Sequence, residues 1–235
     1  MLGKQKIHRA MVVVAHADDA EYGCSGTVAR WCAEGASVVY VLCTDGSKGS
    51  SDPAISSLEL AKIRRKEQED AGKILGLEEI IFLDYPDSYL EPTLNLRKDI
   101  AREIRRSRPE ILICQNPIRT LSVGRGSGHP DHIAAGESAL SAVFPTARDR
   151  LTFPDLLEEG LEPHNVSEVW IMGTDNPDWW VDVTEYMDRA IKSLEQHESQ
   201  VNGRNIADRL KEGRRRIGEP HEMEYGEAFK RLVFN

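Results

Sequence analysis

The stretch AMVVVAHADD, residues 10–19, decides the fold, because a short β-branched run passes directly into a histidine and two aspartates. Residues 10–15 are too few for a helix and predict a buried strand. Runs of the same character recur at 38–43, 111–114 and 168–173. The chain therefore contains several short apolar strands, and the first ends where charged side chains begin.

Helical segments separate these strands, and three of them end at or just before a glycine or a proline, as helices commonly do. Strand and helix alternate at about 30 residues per unit, which predicts parallel strands joined by crossover helices. The expected fold is α/β, a three-layer αβα sandwich with a mostly parallel, Rossmann-like sheet. Ligand sites in such sheets lie beyond the carboxyl ends of the strands. The predicted helices cover residues 26–34, 57–75, 96–107, 133–143 and 184–197.

The length and charge of the chain limit its domain number and its partners. At 235 residues a single domain is expected, with residues 200–235 as a C-terminal extension packed on it. The formal charge of -9 opposes binding to nucleic acid or to an anionic membrane surface. No apolar run is long enough to span a bilayer, and no signal-peptide core is present. A cytoplasmic protein with a small-molecule partner is expected.

Two patterns that resemble binding sites have simpler interpretations. Cys24, Cys32, Cys43 and Cys114 form no C-x-x-C pair and stand in apolar segments, so they are expected to be small core residues. The arginine triplet at 214–216 is expected to be a solvated helix face rather than a nucleic-acid patch.

The first polar cluster, AHADD, follows the first strand directly. His16 and Asp19 are three residues apart on a turn, so both side chains are able to reach one point, with Asp18 beside them. Alone, such a cluster is more often a turn-forming aspartate pair with an incidental histidine.

The second cluster, GHPDH at residues 128–132, follows the predicted strand at 111–114 through a glycine-rich loop. Pro130 suits the first turn of the next helix, where its missing N–H costs nothing. This places His129, Asp131 and His132 near the same edge of the sheet as the first cluster. Two clusters at one edge are much less easily explained as structural features than either one alone.

Two histidines and one carboxylate leave a tetrahedral zinc ion with an open position, which is typical of catalytic sites. Zinc, or another divalent metal, supplies a nucleophile by lowering the pKa of water toward neutrality. The remaining groups then have natural roles. Asp18 is expected to act as the general base and His129 as a cation that stabilises the oxyanion or protonates the leaving amine. Asp131 is expected to complete this catalytic set by orienting one of the histidines.

With these two motifs the sequence resembles the LmbE/PIG-L family of zinc-dependent N-acetylglucosaminyl deacetylases. That family is marked by A-H-[PA]-D-D after the first strand and by H-P-D-H farther on, and each motif here stands between a predicted strand and a predicted helix. The resemblance covers roughly residues 10–200. It includes TDGSKG at 44–49, IRRKE at 63–67 and YPD at 85–87, with a weaker match in YGEAF at 225–229.

The resemblance implies a role for each matching residue. His16, Asp19 and His132 match the zinc ligands, Asp18 matches the proposed base, and His129 matches the first histidine of the second motif.

Two further positions are expected to contact substrate. Arg64 matches a substrate-binding arginine, with a helix-surface charge as the alternative. His197 stands where some relatives carry a tyrosine that gates the site.

The implied activity is removal of an acyl group, most simply acetyl, from the nitrogen of an amino sugar, in a homo-oligomeric enzyme that is a trimer or a hexamer. One alternative is an amidase acting on a sugar–thiol conjugate or another amide. A second is a nucleotide-binding module, because GCSG at residues 23–26 partly matches a dinucleotide loop but lacks the G-x-G-x-x-G spacing. The walls of the substrate pocket are expected at 119–126 and 144–164, which contain no motif.

Overall fold

A seven-stranded sheet forms the centre of the protein, as seen in a computed structural model that describes residues 6–119, 128–201 and 205–234. Six strands run parallel and the last one runs antiparallel to its two neighbours. The predicted α/β class and mostly parallel sheet are confirmed. The strands are β1 (Arg9–Val14), β2 (Ser37–Thr44), β3 (Glu79–Tyr85), β4 (Ile111–Gln115), β5 (Glu168–Met172), β6 (Trp179–Asp182) and β7 (Gly226–Val233).

Helices cover both faces of the sheet. α1, α2, α6 and α8 pack on one face, and α3 and α4 pack on the other. The helices are α1 (Asp19–Ala33), α2 (Ser57–Leu75), α3 (Leu94–Ser107), α4 (Pro130–Ser141), α5 (Asp155–Glu158), α6 (Met187–Glu195), α7 (Glu198–Val201) and α8 (Ile206–Gly218). None of the helices in the described ranges is both long enough and apolar enough to cross a membrane.

β1 lies between the two cores because its side chains alternate between the faces of the sheet. Val12 and Val14 pack with the α1 side, whereas Met11 and Val13 pack with the α3 and α4 side. All four are fully buried, which accounts for the continuous apolar run in the sequence. Of the four cysteines, Cys32 is half-buried and the other three are buried, and all are free thiols.

The strand order β3-β2-β1-β4-β5-β7-β6 reverses direction at β1. The chain first moves outward through β2 and β3, then crosses back to add β4 on the other side of β1. A crevice therefore opens between the carboxyl ends of β1 and β4, the usual location of ligands in open α/β sheets. The two polar clusters of the sequence follow these two strands.

The limits of α2 agree with the prediction, but those of α1 do not. Ser56 and Glu59 form a reciprocal capping box at the start of α2, and Gly76 ends it in a left-handed conformation. The predicted start of α1 at residue 26 is wrong, because the helix begins at Asp19 and is broken at Cys24, where φ is -149° and ψ is 18°.

The segment after residue 205 contributes an internal strand to the sheet. β7 lies between β5 and β6 and bonds to both. α8 packs beside β7 and carries the arginine triplet. The prediction of a solvated triplet is wrong for Arg214, which is only 8% exposed, although it holds for Arg215 and Arg216.

Candidate active site

Three side chains from the two sequence clusters form a compact triangle at the crevice. His16 Nδ1 lies 3.2 Å from His132 Nε2. Asp19 approaches both rings, with Oδ2 at 3.3 Å from His16 Nδ1 and Oδ1 at 3.1 Å from His132 Nε2. Metal–ligand bonds of about 2.0–2.1 Å in a tetrahedron set ligand–ligand distances of about 3.3 Å. The two nitrogens have this spacing and each faces a different oxygen of Asp19, so these three residues are candidate ligands of one divalent metal ion.

The local fold explains why these atoms converge. Asp19 opens α1, and its Oδ2 also accepts the backbone N–H of His16 at 2.8 Å, which closes the turn between strand and helix. Burial alone would raise the pKa of Asp19, but the facing rings of His132 and His16 hold it well below its usual range. The carboxylate is thus kept in the charged form that a metal ligand requires.

The second nitrogen of His16 faces away from the triangle toward two buried carboxylates. Its Nε2 lies 3.1 Å from Asp131 Oδ2 and 3.3 Å from Asp87 Oδ1. Burial alone would lower the pKa of His16, but hydrogen bonds with carboxylates, chiefly Asp131, raise it to about 12. A histidine that donates its second N–H to a carboxylate is the usual arrangement around a metal-binding imidazole.

Asp131 is itself fixed by the backbone of the loop after β3. Its Oδ2 accepts the N–H of Ser88 at 2.7 Å and its Oδ1 accepts that of Leu90 at 3.3 Å. The side chain has no exposed surface, so it is able to orient His16 but not to touch a substrate.

We expect Asp131→Asn to weaken metal binding by about 10- to 100-fold, the usual effect of altering a partner of a metal ligand. Both oxygens of Asp131 accept backbone N–H groups, so the amide of asparagine would face at least one donor. Titration against a chromogenic chelator measures the affinity. The matched control is Asp149→Asn, a half-buried carboxylate that also accepts a backbone N–H but lies outside the site. Equal affinities in the two variants would contradict the orienting role.

His129 begins α4 as its N-cap, and Pro130 occupies the first helical position as predicted. The Nδ1 atom of His129 accepts the N–H of Asp131 at 3.2 Å, so the neutral ring carries its proton on Nε2. Burial is the main factor that lowers the pKa of His129, and the charge of His16 lowers it further. These surroundings disfavour the cation expected from the sequence, and the charge of His129 beside a bound metal stays a prediction.

Asp18 stands beside the triangle in a strained backbone conformation. Its φ of 82° is left-handed, which is uncommon for a residue other than glycine. The Asp18 N–H donates to Gln68 Oε1 at 3.4 Å, and Gln68 donates in turn to buried Glu21 at 3.0 Å. Burial is the main factor that raises the pKa of Asp18 to about 7, and the charge of Asp19 acts in the same direction.

Two other sets of side chains in the described part of the chain are close enough to share a metal. His129 forms one with His16 and His132, and Asp87 forms the other with His16 and Asp131. In each set the potential ligand atoms lie within 4.8 Å of one another. All sets share His16, which makes it the central ligand of the candidate site.

Arg64 is buried rather than a helix-surface charge, since only 6% of it is exposed. Its Nη1 donates to the carbonyl oxygen of Gly46 at 2.8 Å and approaches Asp87 Oδ2 at 3.4 Å. Asp87 therefore joins Arg64 to His16. The only signal of this link in the sequence was the position of Asp87 in the YPD segment.

His197 is not brought into the site. It has no exposed surface, and its Nε2 lies 3.4 Å from Glu21 Oε2. With no exposed surface the side chain does not line the crevice, and the substrate contact expected for His197 stays a prediction.

The crevice beside the triangle has a volume of about 260 Å³. Asp19, His129 and His132 line it together with apolar surface from Tyr22 and Ile118. Of the pocket wall expected at 119–126, residues 120–126 lie outside the described ranges.

The segment GCSG at residues 23–26 does not form a nucleotide-binding loop. It lies within α1, and Cys24 and Ser25 are fully buried. A Cβ atom on Gly23 would lie 2.1 Å from Met172 Sδ, and one on Gly26 would lie 2.6 Å from Val183 Cβ. The glycines therefore allow close helix packing, and no space for a phosphate remains.

Comparison with known proteins places the chain among amino-sugar deacetylases. The family PIG-L, described as GlcNAc-PI de-N-acetylase, matches residues 11–143. A diacetylchitobiose deacetylase of Thermococcus kodakarensis is 34% identical over 194 residues, a match that covers 83% of this chain and 70% of that enzyme. A mycothiol S-conjugate amidase of Streptomyces coelicolor is 30% identical over 168 residues, covering 63% of this chain and 55% of the amidase.

The chain also resembles a solved deacetylase structure. The N,N'-diacetylchitobiose deacetylase of Pyrococcus horikoshii, in complex with an inhibitor, superposes with a TM-score of 0.88 at 30% sequence identity. The match covers 97% of this chain and 84% of that one.

Proposed function

The chain belongs to the PIG-L family of de-N-acetylases, and from that premise we propose that it hydrolyses the acetyl amide of an amino sugar or an amino-sugar conjugate. The observation that carries this proposal is the triangle of His16, Asp19 and His132, with its distances of 3.1–3.3 Å. The similarity to diacetylchitobiose deacetylases supports an N-acetylated amino sugar as the substrate class.

The ion that we propose at this triangle is zinc or another divalent metal. A metal bound there lowers the pKa of water to near neutrality and polarises the amide carbonyl. His16 and His132 supply imidazole nitrogen and Asp19 supplies carboxylate oxygen, a donor set that suits zinc. Asp131 keeps the His16 ring in place through Nε2.

Asp18 is proposed as the group that moves protons. Its carboxylate accepts a proton from the attacking water and later delivers that proton to the leaving amine, which balances the hydrolysis of the amide. A base with a pKa near the working pH suits both steps, and the pKa of Asp18 is raised to about 7.

His129 is proposed as a neutral hydrogen-bond donor. Because its Nδ1 accepts a backbone N–H, the proton on Nε2 is available to the carbonyl oxygen as negative charge develops there. This role requires no positive charge on the ring, in agreement with its lowered pKa.

Arg64 is proposed to bind substrate, because Asp87 links it to His16 of the candidate site. We expect Arg64→Ala to raise KM more than it lowers kcat, because a charge that anchors substrate contributes mainly to uniform binding. Steady-state kinetics on the preferred substrate measure the two constants. Arg64→Lys keeps the charge and serves as the control, with a smaller rise in KM. A fall in kcat at unchanged KM would show that Arg64 acts through Asp87 and His16 instead.

The test of the proposed function is an amine-release screen of the zinc-loaded protein. N-acetylated monosaccharides and disaccharides form one panel, and sugar–thiol conjugates with an amide form the other. We expect turnover in the first panel. Turnover confined to the conjugates would favour the amidase alternative, which the similarity to the mycothiol S-conjugate amidase supports. Absence of turnover in both panels with full metal occupancy would contradict the proposal.

Assembly as a homo-oligomer, a trimer or a hexamer, stays a prediction. Multi-angle light scattering of the purified protein measures it directly, and a monomer at micromolar concentration would contradict it.

A further inference from the structure

α1 carries Asp19 in its first turn and is interrupted at Cys24. In an uninterrupted α-helix the N–H of residue 26 would donate to the carbonyl oxygen of residue 22. Here Cys24 has non-helical angles, so the backbone groups around it need other partners. Those partners come from two residues near the C-terminal end of the described chain.

Glu227, from β7, receives the N–H groups on the far side of the break. Its Oε1 accepts the N–H of Gly26 at 3.0 Å, and its Oε2 accepts that of Thr27 at 2.8 Å. The carboxylate thus acts as a cap for the second half of α1, although it comes from the sheet rather than from the helix. Only 1% of Glu227 is exposed.

Arg214, from α8, binds the carbonyl group on the near side of the break. Its Nη2 donates to the carbonyl oxygen of Tyr22 at 2.7 Å and lies 2.9 Å from Glu227 Oε1. In a continuous helix the N–H of Gly26 would donate to the carbonyl oxygen of Tyr22. Here Glu227 accepts that N–H and Arg214 donates to that oxygen. Arg214 holds the first segment of α1, which bears Asp19. Glu227 holds the second segment, which packs on the sheet.

The first segment of α1 also contacts the sheet directly. Gly23 lies against Met172 at the carboxyl end of β5, with no space for a Cβ atom. Tyr22, whose carbonyl oxygen Arg214 holds, lines the crevice beside Asp19. The direction of this short segment therefore determines where the Asp19 carboxylate meets the two histidines.

We propose that Arg214 and Glu227 are positioning residues for the metal site, which hold the broken helix α1 in the geometry that brings Asp19 to His16 and His132. The inference rests on the proposed function, since it assumes that the triangle binds a metal. It assigns a role to YGEAF, the weakest part of the sequence resemblance, and to one arginine of the triplet.

The test is metal affinity, measured by titrating the metal-free full chain with Co²⁺ and following its visible absorption. Glu227→Gln is expected to weaken Co²⁺ binding by about 10-fold or more and to change the absorption spectrum, because the coordinating carboxylate is displaced. Arg214→Lys keeps the charge but not the two-point contact, and it is expected to weaken binding in the same direction. The double variant should bind no more weakly than the worse single variant, because the pair acts as one unit.

The matched control is Glu168→Gln, which removes a carboxylate that pairs with Arg231 on the same strand β7 but does not touch α1. Loss of stability alone would affect both variants, whereas loss of metal affinity and a changed spectrum are expected only for the Glu227 and Arg214 variants. If Glu227→Gln does not fold by circular dichroism, Arg214→Lys alone decides the question. Unchanged Co²⁺ affinity in a folded variant overturns the inference. Failure of the wild-type chain to bind Co²⁺ overturns the proposed function instead.

Discussion

The double variant His16→Ala, His132→Ala should fall from about one bound metal per chain to none and should lose deacetylation entirely. Both substitutions remove imidazole nitrogens that lie 3.2 Å apart, leaving only Asp19 of the proposed ligand set. One carboxylate does not retain a catalytic metal against a chelator. Elemental analysis of the dialysed protein measures the occupancy.

The control for this variant is His164→Ala. His164 is also a partly buried histidine, but its Nε2 contacts the carbonyl oxygen of Pro109, away from the crevice. It should keep full occupancy. Full occupancy in the double variant as well would show that the metal is bound elsewhere, and the assignment of His16 and His132 would be wrong.

Asp18→Asn should lower kcat by about 10²- to 10⁴-fold, the usual contribution of a positioned general base. The substitution preserves the size of the side chain and removes its ability to accept a proton. Metal occupancy should stay near that of wild type, because Asp18 does not belong to the triangle of proposed ligands, which is His16, Asp19 and His132. KM should change much less than kcat.

Asp84→Asn is the matched control, since Asp84 also has a left-handed φ, 56°, but is exposed and pairs with Arg65. Asp84→Asn should leave kcat unchanged. The comparison separates the loss of a catalytic base from the effect of placing asparagine in a left-handed backbone conformation. If Asp18→Asn removes the metal while Asp19→Asn retains it, the two aspartates have exchanged roles and the mechanism fails at its first step.

The pKa of Asp18, raised to about 7, also sets a direction for the pH profile. A base is active when deprotonated, so kcat/KM should fall as the pH drops below the apparent pKa of the coupled group. Asp18→Asn should alter this acidic limb. The lowered pKa of His129 also sets a direction: any basic limb that depends on a protonated His129 should lie at lower pH than for a free histidine.

The sequence predicted β1, β2, β4 and β5 and the edge of the sheet where the site lies, because these strands are apolar runs and β1 and β4 each lead into a polar cluster. It gave no bounds for β3, β6 and β7, whose side chains are mostly only partly buried. It was not sufficient for α1. Gly23 and Ser25 are poor helix formers, so the predicted helix began only at Gly26. The missing stabilisation comes from Arg214 and Glu227, which are distant in sequence.

The site shows the same division. His16, Asp19 and His132 were found because each belongs to a short motif. The contacts of His16 with Asp87 and of Asp18 with Gln68 join separate elements, and no local pattern predicts them. For His197, the match in sequence position gave no information about burial.

The position of β7 between β5 and β6 has a consequence for the order of events during synthesis. β6 leaves the ribosome well before β7, so the nascent chain holds a strand whose hydrogen-bonding partner has not yet been made. The contacts of Glu227 with the N–H groups of Gly26 and Thr27 in α1 are missing for the same period, because Glu227 belongs to β7. Such long-range closure is slow relative to local helix formation. The backbone of α1 around Cys24 is therefore expected to reach its final geometry late, after β7 has joined the sheet.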